Sequence, residues 1–266
     1  MRLATWNVNS IRVRIDDLAD WLERWSPDVL ALQETKCTDA TFHEVARPVL
    51  TRLGYDVVHW GVDHYNGVAL ASRIGLDEVT RGFPGTATAP FDEPRIVSAT
   101  CGAVRGRPVR VHCVYVPNGR AREDPHWYFK LDWLGRLREL VAADVSAGVA
   151  TIVAGDMNVQ RADIDVYDPK RWRNKCHATP EERSALAAVI DAGARDVMRE
   201  HHPDPGVYTW FSYRPGQVDR NRGMRIDLVL CTDDLADRVS DVTIDLEERR
   251  RPVASDHAPV VVEIDD

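Results

Sequence analysis

Short apolar runs recur along the chain, and each reads as a strand: Leu3–Val8, Val29–Gln33, Asp56–His59, Val68–Ser72, Ile96–Thr100, Val109–Val116, Thr151–Ala154, Ile226–Cys231 and Pro259–Ile264. Most carry apolar residues at odd and even positions alike, the pattern of strands covered on both faces. Three intervening stretches have a helical period instead. Ile15, Leu18, Leu22 and Trp25 share one face, and Pro27 stops the pattern. Leu131, Leu134, Leu137, Val141 and Val145 form a second stripe, ended by Gly148. The third opens at Thr179-Pro-Glu-Glu182, a capping box with proline in the first turn, and closes at Gly193. Strands and helices interleave without a repeat or a low-complexity linker. The pattern predicts one layered α/β (α+β) domain over residues 1–266.

The strands give way to polar residues in a consistent manner. TWNVN puts Asn7 and Asn9 at the end of the first strand, and LALQET ends in Glu34. VYVPNG ends with Tyr115 and Asn118, and TIVAGDMN with Asp156 and Asn158. Two later strands carry polar residues at their starts: Asp227 in RIDLVL, and Asp256-His257 before PVVVEI. If the later strands run antiparallel to the earlier ones, all these groups meet at one rim. One such terminus means little, since Asn and Asp are common turn residues; the set together predicts a cleft. Carboxylate and amide oxygens without cysteine suit a hard cation, Mg²⁺ or Mn²⁺, better than zinc. Glu34 is the best single ligand candidate, with Asn7 and Asp256 beside it. His257 fits a charged donor or general acid/base held by a second carboxylate such as Asp227. Asp156 could orient or deprotonate a water, while Tyr115 and Asn158 could donate hydrogen bonds to a phosphorane-like transition state. No G-x-S-x-G, P-loop or dinucleotide fingerprint occurs. Metal-assisted phosphoester hydrolysis fits this set best.

Composition narrows the class. Of 266 residues, 44% are hydrophobic and 29% charged, near the globular average. No apolar run approaches the ~18–20 residues of a membrane span, and Asn7 and Asn9 interrupt the N-terminus too early for a signal peptide. The five cysteines form no CxxC pair, which points to the reducing cytoplasm. A net charge of −8 argues at first against a nucleic-acid partner, but charge is distributed unevenly. DPKRWRNK (168–175), with Arg171, and RNRGMR (220–225), with Met224 and Arg225, mix cations with a large apolar side chain. Such segments suit a surface that grips phosphates and packs on bases. The triplet Arg249–Arg251 reads as solvated surface charge.

TWNVNSIR, PDVLALQETK, GVAL, RGFPG, YVPNG, GDMN, TWFSYR, NRGMRIDLVL and SDHAPV follow one another in that order from one end of the chain to the other. The ordered set resembles the exonuclease III family, the bacterial apurinic/apyrimidinic endonucleases of the endonuclease/exonuclease/phosphatase superfamily. The resemblance implies a deoxyribonuclease I-like, four-layered sandwich of two packed mixed β-sheets with helices on the outer faces. It implies Mg²⁺-dependent cleavage of duplex DNA 5′ to abasic sites, leaving a 3′-hydroxyl. It also implies 3′→5′ exonuclease and 3′-phosphatase activity at blocked 3′ ends.

Carried over by motif, Glu34 resembles the principal metal ligand, with Asn7 close by and Asp256 a ligand of a second ion; one or two ions are expected. Asp156, Asn158 and His257 are also expected among the metal-site residues. Tyr115 resembles the phosphate-contacting tyrosine and Asn118 its neighbour. Asp156 and Asn158 resemble the water-activating acid and the transition-state donor, and Asp227 with His257 the family's Asp–His pair. Trp210 and Met224 resemble side chains inserted at the abasic gap, with Arg171 and Arg225 on the DNA surface. Phe211 is left open between cleft and core. A monomer is the default expectation. Rival readings are a phosphoesterase for inositol phosphates, lipid head groups or RNA ends, and a non-catalytic binding module; the DNA-facing look of 210–225 and the complete set of candidate groups argue against them.

Overall fold

The computed structural model describes residues 1–85 and 91–266. Among these, the strands are β1 (Arg2–Asn7), β2 (Val29–Gln33), β3 (Asp56–Trp60), β4 (Val68–Ser72), β5 (Asp77–Arg81) and β6 (Ile96–Val104). They continue as β7 (Arg107–Tyr115), β8 (Ala150–Asp156), β9 (Arg195–Asp196), β10 (Asp227–Cys231), β11 (Val239–Ile244) and β12 (Val260–Ile264). The helices are α1 (Ile11–Trp25), α2 (Asp39–Val45), α3 (Arg47–Arg52), α4 (Pro125–Ser146), α5 (Pro169–Trp172), α6 (Pro180–Ile190), α7 (Val197–His201), α8 (Asp233–Ala236) and α9 (Leu246–Arg250). Two mixed six-stranded sheets form, ordered β11-β12-β1-β2-β4-β3 and β5-β6-β7-β8-β10-β9.

Alternation along each strand explains why the apolar runs are continuous. In β1, Leu3 points between the sheets with Val29, Val111, Ile152 and Val229. Its neighbours Ala4 and Trp6 point outward against Leu18, Trp21 and Phe42 of α1 and α2. On the far side, Val153 and Leu228 pack under Trp133, Leu134 and Leu186 of α4 and α6. The layers are therefore helix, sheet, sheet, helix, as expected. Each fully buried Leu, Ile or Val contributes roughly 1.5–3 kcal/mol to holding them together.

Three strands lack the signal that reveals the others. All five residues of β5 are exposed, so no apolar run marks it. β9 has two residues, and β11 is mostly exposed or half-buried. The α4 stripe buries Leu134, Leu137 and Val141 as expected and extends toward the N-terminus through Trp127, Lys130 and Trp133, whereas Val145 at its far end is exposed. Among the described residues no helix is long and apolar enough to cross a membrane. All five cysteines are buried and unbridged.

Candidate active site

Strand register brings the polar ends together. β7 runs parallel to β8, and β10 antiparallel to β8, so Tyr115, Asp156 and Asp227 lie side by side in one row. In the other sheet β1 runs parallel to β2, which pairs Asn7 with Gln33, one residue before Glu34. β12 returns antiparallel to β1, so the preceding Asp256 and His257 arrive at the same end. Gly155 is required for this approach: a Cβ there would sit 1.9 Å from the Val114 carbonyl oxygen. Glu34 and Asn158 turn the chain in the left-handed region, with φ of 49° and 50°. Such non-glycine conformations persist where surroundings over-determine them.

The side chains interlock across the two sheets. The Asn7 amide donates to Glu34 Oε1 at 2.8 Å and to Asp156 Oδ2 at 3.0 Å. Asn158 donates from its backbone N to Asp156 Oδ1 at 2.9 Å, and from Nδ2 to the Val116 carbonyl at 2.9 Å. His257 Nδ1 faces both oxygens of Asp227, at 2.8 and 3.0 Å. Its Nε2 lies 3.7 Å from Asp156 Oδ2. One ligand atom from each of Glu34, Asp156 and His257 falls within 4.8 Å of the others.

This crowding sets the charges. Burial opposes a positive His257, yet Asp227, Asp156 and Asp256 together hold its pKa up at about 10. These carboxylates favour the imidazolium form, with Nδ1–H directed to Asp227. Burial, reinforced by Asp227 and Glu34 and opposed by His257, lifts Asp156 to about 7. Burial also works against ionisation of Glu34, but Lys36 and Asn7 hold its carboxyl below the usual range. Lys36 Nζ sits 2.7 Å from Glu34 Oε2. Tyr115 is raised well above a free phenol by burial and by Glu34, so it is a neutral donor. The Arg95 guanidinium lies 5.0 Å from the centre of the Tyr115 ring.

The donor set, two carboxylates with amide oxygens beside them, fits a hard divalent cation such as Mg²⁺ or Mn²⁺. Asp256 stands outside this group. Its carboxylate accepts from Trp210 Nε1 at 2.9 Å and from Asn9 Nδ2 at 2.8 Å. The Asn158 amide is likewise committed to neighbouring protein oxygens.

Two sequence expectations need correction. Arg225 was expected on the DNA surface, but it is 1% exposed and paired with Asp165 at 2.7 Å and Asp196 at 2.8 Å. Met224, expected as an inserted wedge, is 2% exposed. It forms the floor of an apolar patch with Val166 and Ile226, partly roofed by Tyr167, Trp172 and Trp210. Trp210 is half-buried, Phe211 is core, and Asn118 and Arg171 are exposed. Asn118 Nδ2 reaches Asn158 Oδ1 at 3.4 Å.

Residues 4–257 match the endonuclease/exonuclease/phosphatase family. The chain is 33% identical to exodeoxyribonuclease III of Haemophilus influenzae, with 99% of each chain covered. The chain belongs to that family. Its fold superposes on an AP endonuclease from Archaeoglobus fulgidus with a TM-score of 0.91 at 35% identity, covering all of both chains. A 3′ phosphatase from Neisseria bound to a product DNA hairpin gives a TM-score of 0.92 at 36% identity, again over 100% of both. Family membership makes the chain a hydrolase of the nuclease type.

Sequence reasoning overlooked some members of the site. Lys36 and Asn9, which follow polar strand ends, were legible at the rim, but not their contacts with Glu34 and Asp256. Arg95, Lys130 and His177 come from segments with no polar-terminus signal. Lys130 could have been noticed as a lysine on the apolar stripe of α4.

Proposed function

We propose that this protein hydrolyses phosphodiester bonds of duplex DNA on the 5′ side of abasic sites, leaving a 3′-hydroxyl, and also trims blocked 3′ ends, with Mg²⁺ as cofactor and Mn²⁺ as a substitute. The observation that carries this reading is the convergence of His257, fastened by Asp227, on Asp156 and Glu34 at one rim. Glu34, with Asn7 beside it, would hold the ion. When bound, such an ion polarises the phosphate and offsets charge on the leaving oxygen. Asp156, with a pKa near neutrality, is suited to orienting an attacking water and taking its proton. His257 Nε2–H and Tyr115 O–H are donors at the rim where phosphorane charge would develop, and Asn158 braces Asp156 beside them; preorganised donors act most strongly there.

The surroundings support DNA as substrate. A groove of about 540 Å³, lined by Tyr65, Arg95, Tyr115, Asn118 and Arg120, runs from one flank of the rim. A second, of about 460 Å³, is lined by Tyr167, Arg171, Tyr208, Arg220 and Arg222. Arg171, Arg220 and Arg222 of the second groove suit backbone phosphates despite the net charge of −8, whereas in the first groove Arg95 is paired with Glu93, and Asp63 and Asp92 also line the wall. The half-buried Trp210, packed on the buried Met224 cluster, offers an apolar face beside the rim, and turning out a sugar without its base costs less than flipping a stacked nucleotide. The free cysteines fit a cytoplasmic setting, and one copy of a single domain carries every group named.

The test is cleavage of a 5′-labelled duplex with one stable abasic analogue, in Mg²⁺ and in EDTA, beside an intact duplex. We expect a Mg²⁺-dependent cut immediately 5′ to the lesion with a 3′-hydroxyl product. No cut with Mg²⁺ or Mn²⁺ overturns the reading and moves attention to inositol phosphates.

A further inference from the structure

Lys130 is an ammonium group sealed inside the protein, with 0% of its side chain exposed, and its partner Glu182 is sealed equally. Its three donors meet three acceptors: Glu182 Oε1 at 2.5 Å, the Asn158 carbonyl at 2.6 Å and the Asn118 carbonyl at 3.2 Å. Glu182 is as fully used. Its Oε2 accepts from Thr179 N at 3.0 Å and Oγ1 at 2.9 Å, and its Oε1 from His177 N at 3.0 Å. Glycine at 119 lets the loop close over the lysine stem, since a Cβ there would lie 3.1 Å from Lys130 Cδ.

Stability alone does not explain this pair. Glu182 completes the capping box of α6, a task that a neutral glutamine performs as well. Replacing a buried ion pair with apolar side chains is often neutral or stabilising. What distinguishes the pair is where it holds. Both carbonyls belong to cleft residues, and Asn158 is in the left-handed conformation at φ 50°. His177 Nδ1 contacts the same Asn158 carbonyl from a second direction.

We propose that the buried Lys130–Glu182 pair is a positioning device for the reaction, clamping the carbonyls of Asn118 and Asn158 so that the Asn158 amide is held beside Asp156 at the reacting phosphate. The proposal rests on the phosphodiesterase reading above. Lys130 touches no substrate; it acts through Asn158. The pair links α4, the loops after β7 and β8, and the start of α6, and it does so from the sealed interior, whereas the Arg122–Glu181 and Arg183–Asp163 pairs join some of the same segments at the surface.

Lys130→Met keeps the length of the stem and removes the charge, while Glu182→Gln keeps the cap. Steady-state kinetics on the abasic-analogue duplex, with thermal melts to establish folding, should show kcat of Lys130→Met lowered by about 10²-fold, the cost of a small misplacement. KM should move less than about threefold, and Glu182→Gln should show a smaller loss of the same kind. A double-mutant cycle then separates positioning from general weakening. Asn158→Ala should cost far less in the Lys130→Met background than in the wild type. Additive losses, or an unchanged kcat in Lys130→Met, overturn the proposal. If Lys130→Met does not fold, the same cycle with Glu182→Gln decides it by the same criteria. A wild type that leaves the abasic duplex uncut, by contrast, overturns the phosphodiesterase reading itself.

Discussion

His257 at the cleft and His112 on the outer side of β7 are both nearly sealed from solvent, at 4% and 1% exposure. Each imidazole lies between two polar groups. His257 Nδ1 meets Asp227 at 2.8 Å, with Asp156 3.7 Å from its Nε2. His112 Nδ1 meets Ser98 Oγ at 2.6 Å, and its Nε2 meets Asp144 at 2.7 Å. Their charges nevertheless differ. Burial lowers the pKa of His112, and one carboxylate does not reverse it. Burial acts on His257 in the same direction, but three carboxylates carry it to about 10.

The two surroundings differ in purpose as well. His112 borders a groove of about 590 Å³ whose arginines are already engaged. Arg107 pairs with Asp234 at 2.6 Å, and Arg110 donates to the Glu78 carbonyl at 2.7 Å. A Ser–His–Asp chain there ties β6 and β7 to α4 and has the character of a satisfied core network. Around His257 the carboxylates outnumber the cations, which leaves electrostatic capacity for an incoming positive ion. The lesson is that a buried histidine becomes an acid only where the fold concentrates more negative charge than desolvation removes.

The largest contrast should be in turnover. His257→Gln is expected to lower kcat about 10³-fold while the protein stays folded. His112→Gln should leave kcat within about twofold and lower stability by about 1–3 kcal/mol through unsatisfied buried partners. Equal activity losses in the two variants, measured on the abasic duplex beside urea melts, would break the comparison.

Next in size is removal of each histidine's carboxylate. Asp227→Asn should reduce kcat about 10²-fold and move the alkaline limb of the activity profile to lower pH, because His257 loses its strongest attractive partner. Asp144→Asn should leave that profile in place. A profile unmoved in Asp227→Asn would mean that Asp227 does not sustain the imidazolium.

Stability against pH should separate the two with opposite signs. His257 binds a proton in the fold up to about pH 10, whereas an unfolded histidine releases it near 6.5. Its stabilising effect is therefore complete below pH 6.5 and is lost as pH rises toward 10. His112 is held neutral below its ordinary 6.5, so its effect is present above that value and is lost as pH falls. Denaturant melts in EDTA should show the wild type's advantage over His257→Gln shrinking above neutrality, at a rate on the order of 1 kcal/mol per pH unit. The advantage over His112→Gln should shrink on the acid side. Parallel curves for both variants would refute the assigned charges.

The smallest effect concerns the open surface. Arg171→Ala should raise KM a few-fold, leave kcat unchanged and reduce the salt slope of DNA binding by about 1. A kcat loss instead would place Arg171 nearer the chemistry than its exposed position allows.

The nine apolar runs and three helical stripes were legible because each is a local pattern repeated over neighbouring residues. β5 escaped because its exposed residues carry no such pattern. The rim was legible because polar residues at strand ends recur in one sense early and in the other sense late, and antiparallel return is enough to gather them. Met224 and Arg225 misled because RNRGMR looks solvent-facing, and nothing near it in sequence reveals Asp165 and Asp196 waiting as partners.

The amino-acid sequence by itself determined the layered α/β architecture, the oxygen-rich donor set and the family, since these follow from periodicity, residue chemistry and motif order. Tertiary structure alone decided which histidine is charged, that Arg225 is a buried strut, and that Lys130 grips the carbonyls of Asn118 and Asn158. The physical reason is common to all three. Desolvation and Coulomb interactions depend on which distant segments pack together, and that information is absent from any single stretch of chain.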